Sequence, residues 1–508
     1  MHLAIGELDA AILLAYLAGV VVFGIWLGRG QRDVAAYLLG GRDLPWWGLL
    51  LSIVATETST VTFLSIPGLA FSPEGGSLVF LQLTLGYIIG RLVIVFLFLP
   101  SYFRGELLTA YEVLQRRFGG ATKQTASLLF LVTRTLADGL RLGLAAIVLQ
   151  QVVGLSLWAC ILVMGSATIL YTFAGGMRSV VWNDCIQFVV YIAGAALTLA
   201  VIVAMLGGEW THLSEFLANL PRGWSRLSGF AGEHHKFRLL DFSFDVTRPY
   251  TVWSGLLGGT FIALATHGTD QLMVQRYLSA RSRKEAGRAL ALSGLVVCGQ
   301  FALFLLIGVA LACFYDRFPP AAPLGRGDEV FPAFIVDHLP VGTVGIVVAA
   351  VFAAAMSTLA SSVNASATAA LNDFYLPWCR GKAPAKRLLS ASRGLTIAFG
   401  LLQIGVAVVG QFLRQSVVES VMAIAGFTTG VILGVFFLAV LTRGVTQRSA
   451  LAGLVGGLAV MAAVVFATDL AWPWYAVVGS SATLAVGLAA HMLLPPRGRR
   501  LYNAGVDG

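Results

Sequence analysis

Apolar runs near or above the roughly 20 residues that carry a helix across a bilayer recur from one end of the chain to the other. They predict about thirteen spans, at approximately 9–28, 45–71, 77–100, 125–152, 155–174, 180–206, 251–275, 287–315, 342–371, 389–412, 417–441, 449–468 and 472–493. Two of these runs carry polar residues at their middles. Ala55-Thr56-Glu57-Thr58-Ser59-Thr60 interrupts the second, and Thr266-His267-Gly268-Thr269-Asp270-Gln271 interrupts the seventh. Inside a bilayer, irregular backbone is tolerated only where protein or a cavity covers it. Paired interruptions therefore predict discontinuous helices whose freed backbone faces a solute or an ion, as in transporters built from inverted repeats.

The position of the interruptions predicts the organisation. Spans two to six (45–206) and seven to eleven (251–441) form two sets of five, each opened by a broken span and separated by a loop over 207–250. An odd number of spans per set inverts the second set relative to the first. Residues 1–44 and 442–508 then supply a peripheral first helix with an inside loop, and two peripheral helices with an inside tail. The expected fold class is an all-α integral membrane protein in a single transporter domain.

Composition agrees. The chain has 57% hydrophobic and 12% charged residues and a mean hydropathy of +0.83, against about 25% charged in a soluble domain. With the N-terminus outside and the C-terminus in the cytoplasm, the inside loops hold most of the 34 Lys and Arg, including Arg281, Arg283, Lys284, Lys386, Arg387, Arg499 and Arg500. That is the bias cytoplasmic loops show, and it accounts for the net charge of +9 without nucleic acid. The expected location is a bacterial inner (plasma) membrane. The first span has no basic leader and carries Glu7 and Asp9 ahead of it, so it reads as a retained helix rather than a signal peptide. The five cysteines are scattered and fit neither a disulfide framework nor a metal motif. Of seven histidines only His267 lies near the middle of a span, and no cluster has zinc-ligand spacing.

Candidate chemistry lies at three places. In the ninth span Ser357, Ser361, Asn364 and Thr368 recur at i, i+4, i+7 and i+11, a narrow stripe on a helix, with Thr358 beside it. Such hydroxyls commonly bond back to their own helix or glue neighbours together. A stripe of neutral hard oxygens also suits an alkali cation that must later be released, whereas calcium would want more carboxylates. The fourth span carries Arg134, Asp138 and Arg141 on one face, at a depth where a charge is rarely incidental. Asp138 can neutralise one arginine, which leaves a guanidinium fork available for an organic acid. Glu57 and Asp270 sit in the interruptions and can pair with those arginines, with His267 or with a solute amine, which leaves proton coupling open. Gly426, Gly430 and Gly434 make a small-residue seam suited to helix packing, with Thr428 and Thr429 within it.

A family resemblance rests on Tyr37-Leu38-Leu39-Gly40-Gly41-Arg42, on Gly175-Gly176-Met177-Arg178 followed by Trp182-Asn183-Asp184, on Gln275-Arg276-Tyr277-Leu278-Ser279-Ala280, and on Ala355-Met356-Ser357-Thr358 through Ser361-Ser362. Over about residues 33–441 the chain resembles the sodium/solute symporters of the solute carrier type that includes bacterial proline, sugar and sialic acid symporters. The resemblance implies a LeuT-like core of five plus five helices. It implies one sodium ion held by backbone carbonyls at Ala55, Thr58 and Ala354 and by the hydroxyls of Ser357 and Thr358. A second sodium site in some members would use Asp184, residue 360 and Ser361; Ala360 has no side-chain oxygen, so a single coupling sodium is expected. At the solute site the resemblance aligns Thr266, with His267 next to it, to the aromatic gate of sugar transporters, which argues against a sugar. Thr62 falls where those members present a polar side chain.

The expected function is sodium-coupled symport of a small organic solute, one bearing a carboxylate if Arg134 or Arg141 receives it, by alternating access and without catalysis. The alternatives are proton coupling on the same fold, a channel, for which no repeated filter is present, and a membrane sensor, for which only a short tail follows Pro496.

Overall fold

Every predicted apolar run coincides with a helix or a pair of helices in the computed structural model, which describes residues 6–29, 33–72, 75–320, 327–380, 384–412 and 417–493. The basic tail with Arg499 and Arg500 lies outside the described residues. In chain order the principal helices are α1 (Glu7–Leu27), α2 (Trp46–Glu57), α3 (Thr60–Phe71), α4 (Leu81–Leu97), α5 (Gly120–Val153), α6 (Leu157–Gly207), α7 (Leu213–Glu233), α8 (Gly259–Gly268), α9 (Gln271–Leu278), α10 (Arg283–Arg317), α11 (Thr343–Ala370), α12 (Ala385–Gly410), α13 (Val417–Leu441), α14 (Gln447–Ala467) and α15 (Tyr475–Leu493). No strand occurs among the described residues; a single backbone bridge joins Leu44 to Ala280.

Eight described helices are long and apolar enough to cross a membrane, and the bent pair α2–α3 makes a ninth. Three of the four runs missing from that count have physical sources. The fifth and sixth runs are one 51-residue helix, α6, bent where Gly176 takes φ 51° and ψ −149°. Arg134, Asp138 and Arg141 lower the hydropathy of α5. The seventh run is split into α8 and α9, each too short to span alone. The loop expected over 207–250 contains the amphipathic helix α7 and is anchored at its far end, where the Lys236 ammonium donates to the carbonyls of Ala70, Phe71 and Ser72 at the end of α3. Removal from water lowers the pKa of that lysine.

Both breaks have local causes. α2 ends at Glu57 and α3 restarts at Thr60 with Ser59 as its cap, its side chain accepting from Thr62 N; the two halves meet at 65°. The turn is fastened from behind. Thr58 Oγ1 donates to Val54 O at 2.9 Å, and receives Gln300 Nε2 of α10 at 2.6 Å and Tyr191 Oη of α6 at 3.2 Å. At the second break Asp270 caps α9, accepting from Leu272 N at 2.9 Å.

Close helix contacts are made by small residues, as expected where lipid supplies no hydrophobic drive between helices. The glycine seam of α13 packs on α15: a Cβ on Gly430 would stand 2.9 Å from Ala476 Cα, and one on Gly434 2.5 Å from Thr483 Cβ. The seam is therefore packing, as its spacing suggested. Gly176 has the opposite reason for being glycine. Its φ is positive, and a Cβ would stand 2.3 Å from Tyr37 O. Gly176→Ala is expected to cost at least about 1–3 kcal/mol of backbone strain, read as a fall in the apparent thermal midpoint of the purified protein in detergent; an unchanged midpoint would show that the bend relaxes freely.

Candidate functional site

Ending α2 at Glu57 leaves the last carbonyls of that helix without amide partners one turn on. Helix α11 supplies what they lack. Ser357 Oγ donates to Ala55 O at 2.9 Å and Thr358 Oγ1 to Thr56 O at 3.1 Å. Both hydroxyls also reach Ala354 O, at 3.2 and 3.4 Å. Five neutral oxygens from two helices thus converge in a buried place. Either hydroxyl can turn its proton aside and present a lone pair. The sequence expectation placed the Thr58 backbone carbonyl in this set; the two hydroxyls bond the Ala55 and Thr56 carbonyls, and the Thr58 side chain fastens the turn.

Asp184 and Ser361 also come together, but around a guanidinium. Arg276 Nη2 donates to Asp184 Oδ2 at 2.9 Å and also bonds Thr56 Oγ1 and Ser361 Oγ, while its Nε donates to Ser52 Oγ at 2.8 Å and its Nη1 to Leu272 O at 2.6 Å. Arg276 and Asp184 are fully buried. A second cation on the same oxygens would sit on the order of 4 Å from this charge and meet roughly 4 kcal/mol of repulsion at an effective dielectric of about 20. The guanidinium is bonded to the oxygens the resemblance gave to a second sodium.

Glu57 belongs to a third polar group. It accepts from Arg91 Nη2 of α4, and its Oε2 lies 3.4 Å from His267 Nε2. Arg91 Nη2 lies 3.1 Å from the same ring nitrogen. A guanidinium can only donate to Nε2, while a proton on Nε2 would serve Glu57; the other ring nitrogen, Nδ1, faces Thr266 Oγ1 at 2.9 Å. Thr266 in turn donates to Ile262 O at 2.8 Å. The hydroxyl of Thr266 thus has a partner on each side, and Thr266 also lines the cavity beside α5.

The charged face of α5 opens on a cavity of about 90 Å³, lined by Arg134, Arg141, Thr266, Asp270, Thr428 and Tyr111 among others. The expected unmatched arginine is matched: Arg134 pairs with Asp270 across the cavity, and Arg141 Nη1 with Asp138 Oδ1 at 2.6 Å. Asp138 Oδ2 lies 3.6 Å from Arg134 Nη1. Arg141 nevertheless keeps 23% of its side chain exposed. Of the expected solute residues, Glu57 and His267 lie behind the lining, and Thr62 is the first-turn partner of Ser59, at 3.4 Å.

Sequence reasoning missed Arg91, Arg276, Thr56 and Tyr111. Arg91 was visible as a charge inside an apolar run. Arg276 was seen only as part of a motif, because it lies at the edge of the seventh run. Thr56 and Tyr111 gave no signal beyond being polar residues near a break or in a loop.

The profile of the "Sodium:solute symporter family" matches residues 37–457. The human sodium/iodide cotransporter is 32% identical over 464 residues, covering 88% of this chain and 68% of that protein. The mouse sodium-coupled monocarboxylate transporter 2 is 31% identical over 468 residues, covering 88% and 70%. Among solved structures, a Na+-coupled sialic acid symporter in a substrate-bound outward-open state superposes with a TM-score of 0.86 at 25% identity, covering 97% of this chain and 99% of that one.

The Arg276–Asp184 pair carries its own expectation. Asp184→Asn leaves a buried guanidinium uncompensated and should destabilise the protein by about 3–5 kcal/mol, and Arg276→Gln in the same chain should recover part of the loss. Equal thermal midpoints for the single and double variants would sink the pairing account.

Proposed function

The chain belongs to the sodium:solute symporter family, with a LeuT-like fold and sodium-coupled transport by alternating access, and on that premise we propose that it carries a small organic anion together with one sodium ion. It is a multi-pass membrane transporter and not an enzyme. The observation that carries the anion reading is the pair Arg134 and Arg141 on the wall of the cavity.

The sodium site of this reading consists of the carbonyls of Ala55, Thr56 and Ala354 and the hydroxyls of Ser357 and Thr358. Support comes from the convergence of these oxygens and from their neutrality. A sodium ion held by dipoles alone binds firmly enough to enter and loosely enough to leave. Asp184 and Ser361 remain with Arg276, so no second sodium is assigned.

The solute site consists of Arg134 and Arg141, with Asp270, Thr428 and the Thr266 backbone turn around them. A guanidinium presents five N–H donors, more than its acidic partner uses, so a carboxylate can share or displace that partner. The relatives point the same way: their names carry iodide, monocarboxylate and sialic acid. Charge balance is a further support. Arg91 with Glu57, Arg134 with Asp270, Arg141 with Asp138 and Arg276 with Asp184 each sum to zero. One sodium and one monovalent anion leave the loaded interior neutral, which suits movement through a low-dielectric barrier. The drive is then the sodium gradient rather than the membrane potential, which acts only on net charge, at about 2.3 kcal/mol per charge per 100 mV.

The two five-helix units, 45–206 and 251–441, are the bodies that rock in this reading, and the N-terminus lies outside. The inside bias of the basic residues supports that orientation.

The test is uptake of pyruvate, sialic acid and iodide into proteoliposomes with and without an inward sodium gradient. Ser357→Ala and Thr358→Ala should each raise the sodium concentration for half-maximal uptake by roughly fivefold, about 1 kcal/mol for a lost neutral ligand; unchanged sodium activation in both would remove the assignment. Arg134→Gln, made with Asp270→Asn to avoid a leftover charge, and Arg141→Gln should weaken anion uptake by about ten- to a hundredfold. A matching loss of folded protein in every one of these variants would instead leave the arginines as ion pairs only.

A further inference from the structure

A polar group beside Arg134 has a proton with no acceptor. Tyr111 lines the cavity, its side chain is buried, and its phenol O–H has no acceptor, the oxygen having only the Gln271 backbone amide beside it. Buried polar atoms are bonded in the great majority of cases, so this one calls for an explanation. The neighbouring hydroxyls behave differently. Thr133, Thr266 and Thr269 each donate to the carbonyl one turn earlier in their own helices, to Leu129 at 2.7 Å, Ile262 at 2.8 Å and Ala265 at 2.9 Å. Facing the cavity they offer lone pairs, which an anion cannot use. A phenol is protonated at neutral pH and offers the opposite: a neutral donor next to a cationic one.

Tyr111 is also held unusually firmly for a loop residue. Arg42 Nη2 bonds Leu107 O at 2.9 Å, Gln271 bonds Leu108 O at 3.2 Å and Ala110 N at 2.7 Å, and Glu112 Oε1 accepts from Leu108 N at 2.7 Å and Thr109 N at 3.0 Å. Thr109 Oγ1 then donates to Asp373 Oδ1 at 2.9 Å. The ring is flanked by Phe130 and Phe436, with centroids 5.9 and 6.4 Å away. Arg134 and Asp270, which pair across the cavity, are both within electrostatic reach of the phenol. A donor fixed before the ligand arrives loses little freedom on binding it.

We propose that Tyr111 determines specificity at the solute site, its phenol O–H donating to one oxygen of a bound carboxylate while the Arg134 guanidinium holds the other. This rests on the anion reading above and adds to it a geometric requirement. A carboxylate has two oxygens and can satisfy both donors at once. A halide is a single centre whose diffuse charge accepts a weaker hydrogen bond from the phenol than a carboxylate oxygen does. Tyr111 therefore ranks carboxylates over halides at a site whose arginine would accept either.

The experiment compares wild-type protein and Tyr111→Phe in proteoliposomes, measuring KM and maximal rate for pyruvate, sialic acid and iodide, the sodium concentration for half-activation, and the apparent thermal midpoint. The variant removes one oxygen atom and keeps the ring. The expected result is a rise of roughly tenfold in KM for the carboxylates that are taken up, with iodide KM and sodium activation within about twofold of wild type and no fall in the midpoint. An unchanged carboxylate KM overturns the assignment, as does an equal change for carboxylates and iodide. Loss of anion uptake in Arg134→Gln with none in Tyr111→Phe leaves the anion reading standing and removes Tyr111 alone. No uptake of any anion by the wild type removes the anion reading, and the role of Tyr111 with it.

Discussion

The break in the second predicted span is the constraint on which the rest of the structure depends. A helix that stops at Glu57 inside the protein leaves the carbonyls of Ala55 and Thr56 without amides, and in the absence of water each such group is expensive. Ser357 and Thr358 answer that need with hydroxyls from another helix. The same hydroxyls are adequate partners for a carbonyl and good ligands for a cation. An arrangement forced by backbone accounting is thereby one that binds sodium in the reading proposed above, and it can return to its hydrogen-bonded form when the ion leaves.

Charge pairing is the second constraint, and it connects the breaks to the solute cavity. Each of the two interruptions contributes an acid, Glu57 and Asp270, and each acid meets an arginine from a different helix, Arg91 and Arg134. Arg276, just past the second interruption, reaches back to Thr56 in the first. The two broken segments are thus linked both through Arg276 and through the Glu57–Arg91–His267 group. Movement at one break cannot leave the other indifferent, because a buried guanidinium that loses its acid has no water to replace it.

Legibility in the sequence followed the kind of signal each feature leaves. Apolar length located the long apolar helices, though not the amphipathic α7, and parity with the two polar interruptions was enough to suggest the architecture. The stripe from Ser357 to Thr368 was legible because helical spacing is fixed: Ser357 faces Ala55, Ser361 faces Thr56, and Thr368 receives Gln275 Nε2 at 2.9 Å. Partners were legible only as options. Asp270 could be named as one candidate mate for the arginines of α5, but the spacing of Arg134, Asp138 and Arg141 did not say which of them it would neutralise. Hydroxyl commitments were hidden for the same reason, since Thr266 reads as an available polar residue until its bonds to Ile262 and His267 are seen. Tyr111 lay outside every span and carried no charge, so no sequence rule pointed to it.

Those hidden commitments decide what the cavity can recognise. Lone pairs from Thr133, Thr266 and Thr269 repel the oxygens of an anion, so attraction must come from donors elsewhere on the wall, and Arg134 and Arg141 are already neutralised by acids. In the reading proposed above, an anion gains the N–H groups that the acid leaves free and, beyond those, only what it takes over from Asp270 or Asp138. The balance between solute and resident carboxylate is therefore a contest between two similar groups for the same donors, with little net gain for either. Weak net binding is what a carrier requires, because a solute held much more tightly than its resident competitor would not be released on the other side. The internal ion pairs of the charged helix, which on sequence grounds competed with a role in solute binding, are on this argument the means by which the site is kept exchangeable.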